Sequence, residues 1–170
     1  MQNLMPEIIE LAHGLAKPFE GLRLDAYFDP VGFPTQGYGR LLSRQVWGPL
    51  GRAPLDRIEM NAAREWLKDK YPDIDIATAD VWLKQDMMVA IRATLRLCPG
   101  ATKPTQIAAL ADFTFNCGAG NLEISSLRRK VNRNDFDGAA DEFLKWVYAR
   151  GVKLPGLVRR RVAEREMFLR

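Results

Sequence analysis

The most restrictive feature of this chain is a change of pattern between residues 22 and 42. Tyr27, Phe28, Val31, Phe33 and Tyr38 are punctuated there by Asp29-Pro30, Gly32, Pro34, Gly37 and Gly39. Glycine and proline at that density break any helical register, and the aromatic and β-branched residues between them favour extended backbone. The stretch predicts short strands joined by tight turns, hence a small antiparallel sheet. On either side the periodicity is helical. Residues 6–16 place Ile8, Ile9, Leu11, Ala12, Leu15 and Ala16 at helical spacing, with Pro6 suited to a first turn. Pro18 should end or kink that helix near Ala16–Lys17.

Residues 43–55 are rich in glycine and proline and read as a loop. Asp56 and Glu59 form a capping-box pattern that opens a helix through about Lys70. Thr78 is placed to cap a long helix to about Leu97, with Pro99-Gly100 as its stop. Four more helical segments follow: Pro104–Cys117, Ser125–Asn132, Asp135–Ala149 and Pro155–Leu169. Ile107, Leu110, Ala111, Phe113 and Phe115 make the first of these apolar nearly all round, so it should lie at the centre of a helical lobe. The chain therefore reads as α+β: a small lobe at about 18–77, a linking helix at about 78–97, and a larger helical lobe at about 98–170 with the N-terminal helix packed on it.

A hydrophobic fraction of 47% and a charged fraction of 27% belong to an ordinary globular protein. No segment approaches the ~20 apolar residues that cross a membrane. The N-terminal stretch carries Glu7 and Glu10 and lacks the basic-then-apolar order of a signal peptide, which places the protein in the cytoplasm of the producing cell. The net charge of +4 is uneven: from Arg128 onward there are 12 Lys/Arg against 6 Asp/Glu. A basic C-terminal helix is compatible with weak contact with anionic membrane, or with no more than a solvated face. The region carries no nucleic-acid-binding signature, so no nucleic-acid partner is expected.

Cys98 and Cys117 lack metal-ligand spacing and read as core residues with free thiols, one bridge remaining open. His13 is the only histidine. Zinc hydrolases and Ser-His or Cys-His enzymes need one or more placed histidines, so those chemistries are disfavoured. No metal and no cofactor is expected.

What remains is carboxylate chemistry. Glu20 ends a helical segment, Asp29 follows nine residues later, and Thr35 six after that in the glycine-rich hairpin. Two carboxyl groups and a hydroxyl suffice for glycosidic hydrolysis. Taken singly, Glu20 reads as a helix-end acid, Asp29 as a turn initiator and Thr35 as a strand former.

Three stretches carry a resemblance to a known family. They are Phe19-Glu20-Gly21-Leu22 through Tyr27, Asp29, Gly32, Thr35 and Gly37-Tyr38-Gly39; Ala109–Gly118 with Ser125-Ser126-Leu127; and Trp146, Ala149, Gly151 with Leu154-Pro155-Gly156-Leu157-Val158 and Arg160-Arg161. In this order they resemble phage-type lysozymes, the endolysins of glycoside hydrolase family 24. The resemblance implies a single lysozyme-like α+β domain with a cleft between its lobes. It implies a monomeric enzyme that cleaves the β-1,4 bond between N-acetylmuramic acid and N-acetylglucosamine in peptidoglycan glycan strands. Glu20 matches the general acid, and Asp29 with Thr35 the groups that activate water. Leu41, Phe115 and Ser126 match substrate-binding positions. The enzyme would wait in the host cytoplasm until another protein, a holin, permeabilises the inner membrane, then act in the periplasm and lyse the host. The alternative is a non-catalytic peptidoglycan-binding module of the same fold. Two departures stand out: Arg40 replaces a common histidine, and residues 43–77 read as longer than usual with an extra helix. One of Arg159, Arg160 and Arg161 is expected near the cleft, paired with Glu20 or with the acidic peptide stems of the polymer.

Overall fold

A computed structural model describes residues 4–30, 32–44 and 57–170. The elements in chain order are α1 (Met5–Ala16), β1 (Arg23–Phe28), β2 (Pro34–Gly37), β3 (Arg40–Leu41), α2 (Arg57–Lys70), α3 (Ile76–Leu97), α4 (Pro104–Cys117), α5 (Ala119–Ile124), α6 (Ser126–Val131), α7 (Phe136–Phe143), β4 (Tyr148–Ala149), β5 (Val152–Lys153) and α8 (Pro155–Phe168). They form two compact units: Glu20–Leu83, and Met1–Phe19 together with Lys84–Arg170. The mostly helical chain with its small antiparallel sheet is the expected α+β class.

The smaller unit holds the three-stranded sheet β1-β2-β3, antiparallel throughout, with α2 packed on β1. The pairing of β1 with β2 is interrupted: Arg23 faces Gly37 while Tyr27 faces Thr35, so the register shifts between them. Such a bulge leaves backbone groups without ladder partners. Gln36 answers this with its side chain. It is buried, and its Nε2 donates to the carbonyls of Leu24 (2.8 Å) and Pro72 (3.0 Å). One amide thus ties both strands to the segment that leads into α3. Phe28 of β1 stacks on Trp66 of α2, and Tyr71 meets Trp66 edge-on.

The larger unit is built around α4. Residues 106–114 are buried without interruption, and both α1 and α8 pack on this helix. Phe113 meets Phe143 and Trp146 edge-on, and Phe143 passes the contact to Phe168. Thr114 solves the problem of a hydroxyl in this core by donating to the Leu110 carbonyl (2.6 Å) and pairing with Thr94 of α3 (3.0 Å).

Several expected boundaries move. The long helix begins at Ile76, not Thr78, because the Asp75 carboxylate accepts from the Thr78 N–H at 2.7 Å and is the actual N-terminal cap. The helix expected to run to Ala149 stops at Phe143. Beyond it Tyr148–Ala149 pairs with Val152–Lys153 around Arg150-Gly151, both with positive φ (50° and 78°). Two consecutive residues in that conformation make the turn that matches strand twist, and a helix cannot contain them. Asp56, expected to open α2, lies outside the described residues, as does most of the 43–55 loop.

The arginine run of α8 is divided between interior and solvent. Arg159 is exposed, but Arg160 and Arg161 are buried. Arg160 grips Asp112 of α4 with two bonds of 2.9 and 2.7 Å and lies over the Phe19 ring. Arg161 pairs with Glu164 (2.9 Å) and donates to Asn116 Oδ1 (2.8 Å). Removing one partner of a buried pair leaves a desolvated charge. Asp112→Ala is therefore expected to lower unfolding stability by about 3–5 kcal/mol. A urea midpoint at neutral pH within error of the parent would contradict this account of the α4–α8 contact.

Candidate active site

Glu20 follows the short 3-10 turn Lys17–Phe19 and is half-buried, three residues before β1 begins. Asp29 and Thr35 lie on either side of the β1–β2 connection, and both are fastened to Phe33. The Phe33 N–H donates to the Asp29 carboxylate at 2.8 Å. The Phe33 carbonyl accepts twice, from the Asp29 N–H (3.0 Å) and from the Thr35 hydroxyl (3.1 Å). Gly32 N–H closes the turn onto the Asp29 carbonyl at 2.9 Å, and Gly32 does so at φ 91°, where a side chain would be strained. A carboxylate and a hydroxyl six residues apart in sequence are thereby held on one peptide segment.

The sheet register extends the arrangement. Tyr27 is paired with Thr35, and Thr35 with Leu41, so these three side chains line one face of the sheet in a row. Thr35 in the middle is only 4% exposed and Leu41 at the edge is 42% exposed. Burial pushes the Tyr27 hydroxyl above its ordinary value; Arg23 opposes that, and the carboxylates of Asp29, Glu20 and Asp25 add to it. Tyr27 is thus in electrostatic reach of both Glu20 and Asp29. Its proximity to both acids was not drawn from the sequence, although the Tyr27-x-Asp29 spacing carried it. Gln36, one residue beyond Thr35, had no sequence signal at all, since its task arises from the bulge opposite.

The turn joining β2 to β3 has Gly37 and Gly39 at φ 66° and 87°. Just after it, the Arg40 guanidinium stands 5.2 Å from the centre of the Trp82 ring. This cation–aromatic contact gives the residue that replaces histidine a packing role in the smaller unit. Trp66 and Trp146 are likewise engaged in ring contacts.

Phe115 and Ser126 belong to the larger unit. Phe113 is wholly buried, whereas Phe115 on the same helix is partly exposed. Ser126 is the first residue of α6 and its hydroxyl donates to the Glu142 carboxylate. Glu142 is buried and is gripped by Lys130 (2.9 Å) and Lys145 (2.8 Å). Burial would push this carboxyl up, but the hydrogen bonds from Lys145, Ser126 and Lys130 outweigh it and bring it to about 2. Both cysteines are free thiols; burial raises Cys98 to about 11. Among the described residues no group of three or more His, Cys, Asp or Glu could hold a metal ion, and no helix is long and apolar enough to cross a membrane.

Comparison with known proteins decides the family. Residues 17–164 match the family described as phage lysozyme. The chain belongs to the phage lysozyme family. An endolysin of Acyrthosiphon pisum secondary endosymbiont phage 1 is 31% identical over 158 residues, covering 91% of this chain and 92% of that one. Among solved structures, the muramidase domain of SpmX from Asticaccaulis excentricus superposes with a TM-score of 0.72 at 26% identity, covering 94% and 95% of the two chains. A variant of P22 lysozyme gives 0.69 at 27% identity, with the same coverage. This phage lysozyme relative is accordingly a glycoside hydrolase of the lysozyme type, and its family substrate is peptidoglycan.

The Glu142 cluster carries a pH signature. A carboxyl held below its ordinary value of 4.5 stabilises the fold above that value and loses the contribution as pH falls toward about 2. Glu142→Gln should thus lower the melting temperature at pH 7, with the gap to the parent closing as pH approaches 2. A gap independent of pH would exclude this origin.

Proposed function

We propose that the chain is an endolysin muramidase that hydrolyses the β-1,4 bond between N-acetylmuramic acid and N-acetylglucosamine. In this reading Glu20 is the general acid that protonates the leaving oxygen. Asp29 and Thr35 orient and activate the water that attacks the sugar. The observation that carries the reading is the common anchoring of Asp29 and Thr35 on Phe33, with Tyr27 in the field of both carboxylates. A water lodged beside Asp29 would find one carboxylate oxygen already committed to the Phe33 N–H and the other oriented by that commitment. The Thr35 proton is committed to the Phe33 carbonyl, which leaves its oxygen lone pairs to accept from water. Both groups therefore present acceptors, which is the polarity a base needs.

Leu41, beside Thr35 on the sheet, would offer an apolar contact to a sugar ring. Phe115 and Ser126 would supply contacts from the larger unit. The reading places the enzyme as a monomer working on the wall in the periplasm after release from the host cytoplasm, with host lysis as the outcome. A non-catalytic peptidoglycan-binding module would have no use for the acid, the second carboxylate and the hydroxyl together, which favours the hydrolase.

The test is loss of turbidity of chloroform-permeabilised Gram-negative cells, with fragments identified by mass spectrometry. The parent should clear the cells and release fragments ending in reducing N-acetylmuramic acid. Glu20→Gln should slow clearing by about 10²–10⁴-fold, the range for loss of a general acid. Asp29→Asn should lower it comparably. Equal clearing by parent and Glu20→Gln would falsify the assignment, and release of peptides instead of sugars would make the enzyme an amidase or endopeptidase.

A further inference from the structure

The face of the smaller unit formed by β1 and α2 carries a concavity of about 350 Å³, within the range of small-ligand sites. It is lined by Arg23 and residues 25–28 of β1, by one face of α2 and by Asp73 just beyond that helix. Of the residues described at the candidate active site only Tyr27 also lines it; Glu20, Asp29, Thr35 and Leu41 do not.

Its charges are arranged unevenly. Arg23 and Asp25 form an ion pair with each other and so cancel within the wall. Arg64 and Lys68 stand one helical turn apart on α2, hence on the same face. Lys68 has only a 3.9 Å contact with the exposed Glu65. Among the described residues, the side chains of Arg64 and Asp73 make no hydrogen bond or ion pair. The lining thus brings together cations on α2, an anion just beyond that helix, and apolar surface that includes Phe28 and the buried Leu67.

That pattern selects among ligand classes. A sugar ring would need an open aromatic face, but Arg23 already lies 4.5 Å from the Tyr27 ring centre and Phe28 stacks on Trp66. A phosphate would meet Asp25 and Asp73. A short peptide that carries both free carboxylates and a free amine would satisfy the unpaired groups of both signs. We propose that this concavity binds the stem peptide of peptidoglycan, with peptide carboxylates on Arg64 and Lys68 and a side-chain amine on Asp73. The proposal rests on the muramidase reading for its biological ligand. It adds to that reading a second contact with the polymer, away from the scissile bond, which would hold the strand by its peptide while the glycan is cut.

The experiment compares reducing-end release from intact sacculi and from glycan strands stripped of peptide by an amidase. Arg64→Glu and Asp73→Lys should each raise KM for intact sacculi about two- to fivefold, as expected for one exposed charge contact. They should leave kcat on sacculi, and both constants on stripped strands, at parental values; Arg64→Lys should behave as the parent. A KM unchanged on sacculi, or raised equally on both substrates, overturns the proposal. In parallel, the parent protein is titrated with the free tetrapeptide L-alanyl-D-glutamyl-meso-diaminopimelyl-D-alanine and followed by amide NMR. Shifts confined to residues 23–28 and 60–73, abolished by Arg64→Glu, support the site, and their absence overturns it. Should the parent cut neither glycan, the muramidase reading fails while this titration still decides the pocket.

Discussion

The peptide segment at Phe33 is the constraint on which the smaller unit's chemistry depends. Its carbonyl takes the Asp29 N–H and the Thr35 hydroxyl, and its N–H goes to the Asp29 carboxylate. Because the hydroxyl and the carboxylate share one anchor, neither can reorient without breaking bonds that also close the turn. The same bonds set the register of β1 on β2, and through it the row Tyr27, Thr35 and Leu41. Strand pairing has period two, so a slip of one residue at this turn would send Thr35 to the opposite face. The buried Gln36 guards against that slip from the other end by bonding the Leu24 and Pro72 carbonyls.

The larger unit meets a different demand. Its central helix is buried along nine successive residues, and that interior includes Asp112. A carboxylate with no exposure requires a cation of matching geometry, and Arg160 provides the two-pronged partner. Arg161 and Glu164 bring a second pair of charges into the same region. Burial first, with the neighbouring Asp112 second, pushes the Glu164 carboxyl well above its ordinary value. The packing of α8 on α4 is therefore a charge-matched contact as much as an apolar one. This explains why α8, so rich in arginine, belongs to the core.

Much of this was legible in the residues. The strand-and-turn stretch, the helix at 104–117 and the acid-acid-hydroxyl spacing follow from local propensities and from residue chemistry. The pattern predicts a helix over Asp135–Ala149 because Ala139, Ala140, Phe143, Trp146 and Val147 keep an apolar spacing that a helix and a helix-plus-hairpin share. Arg150-Gly151 is the turn signal that separates the two. Thr78 has a hydroxyl suited to capping, yet Asp75, three residues earlier, caps the helix with its carboxylate. The basic run at 159–161 shows another limit of composition, which counts charges but cannot tell that Arg160 meets Asp112, 48 residues away.

By itself the sequence determined the class of the fold, the family through three ordered motifs, and the residue types available for catalysis, since these depend on local backbone preferences and on side-chain chemistry. The tertiary structure alone decided which neighbours those residues acquired. It put Asp29 and Thr35 on Phe33, Tyr27 in the field of two acids, Gln36 against a bulge, and Arg160 on Asp112. The Phe33 bonds close within one turn, but the contacts of Gln36 and Arg160 depend on where an opposing strand or a distant helix comes to rest, and on burial strong enough to make a polar group choose a partner. That second kind of information is absent from any short window of residues.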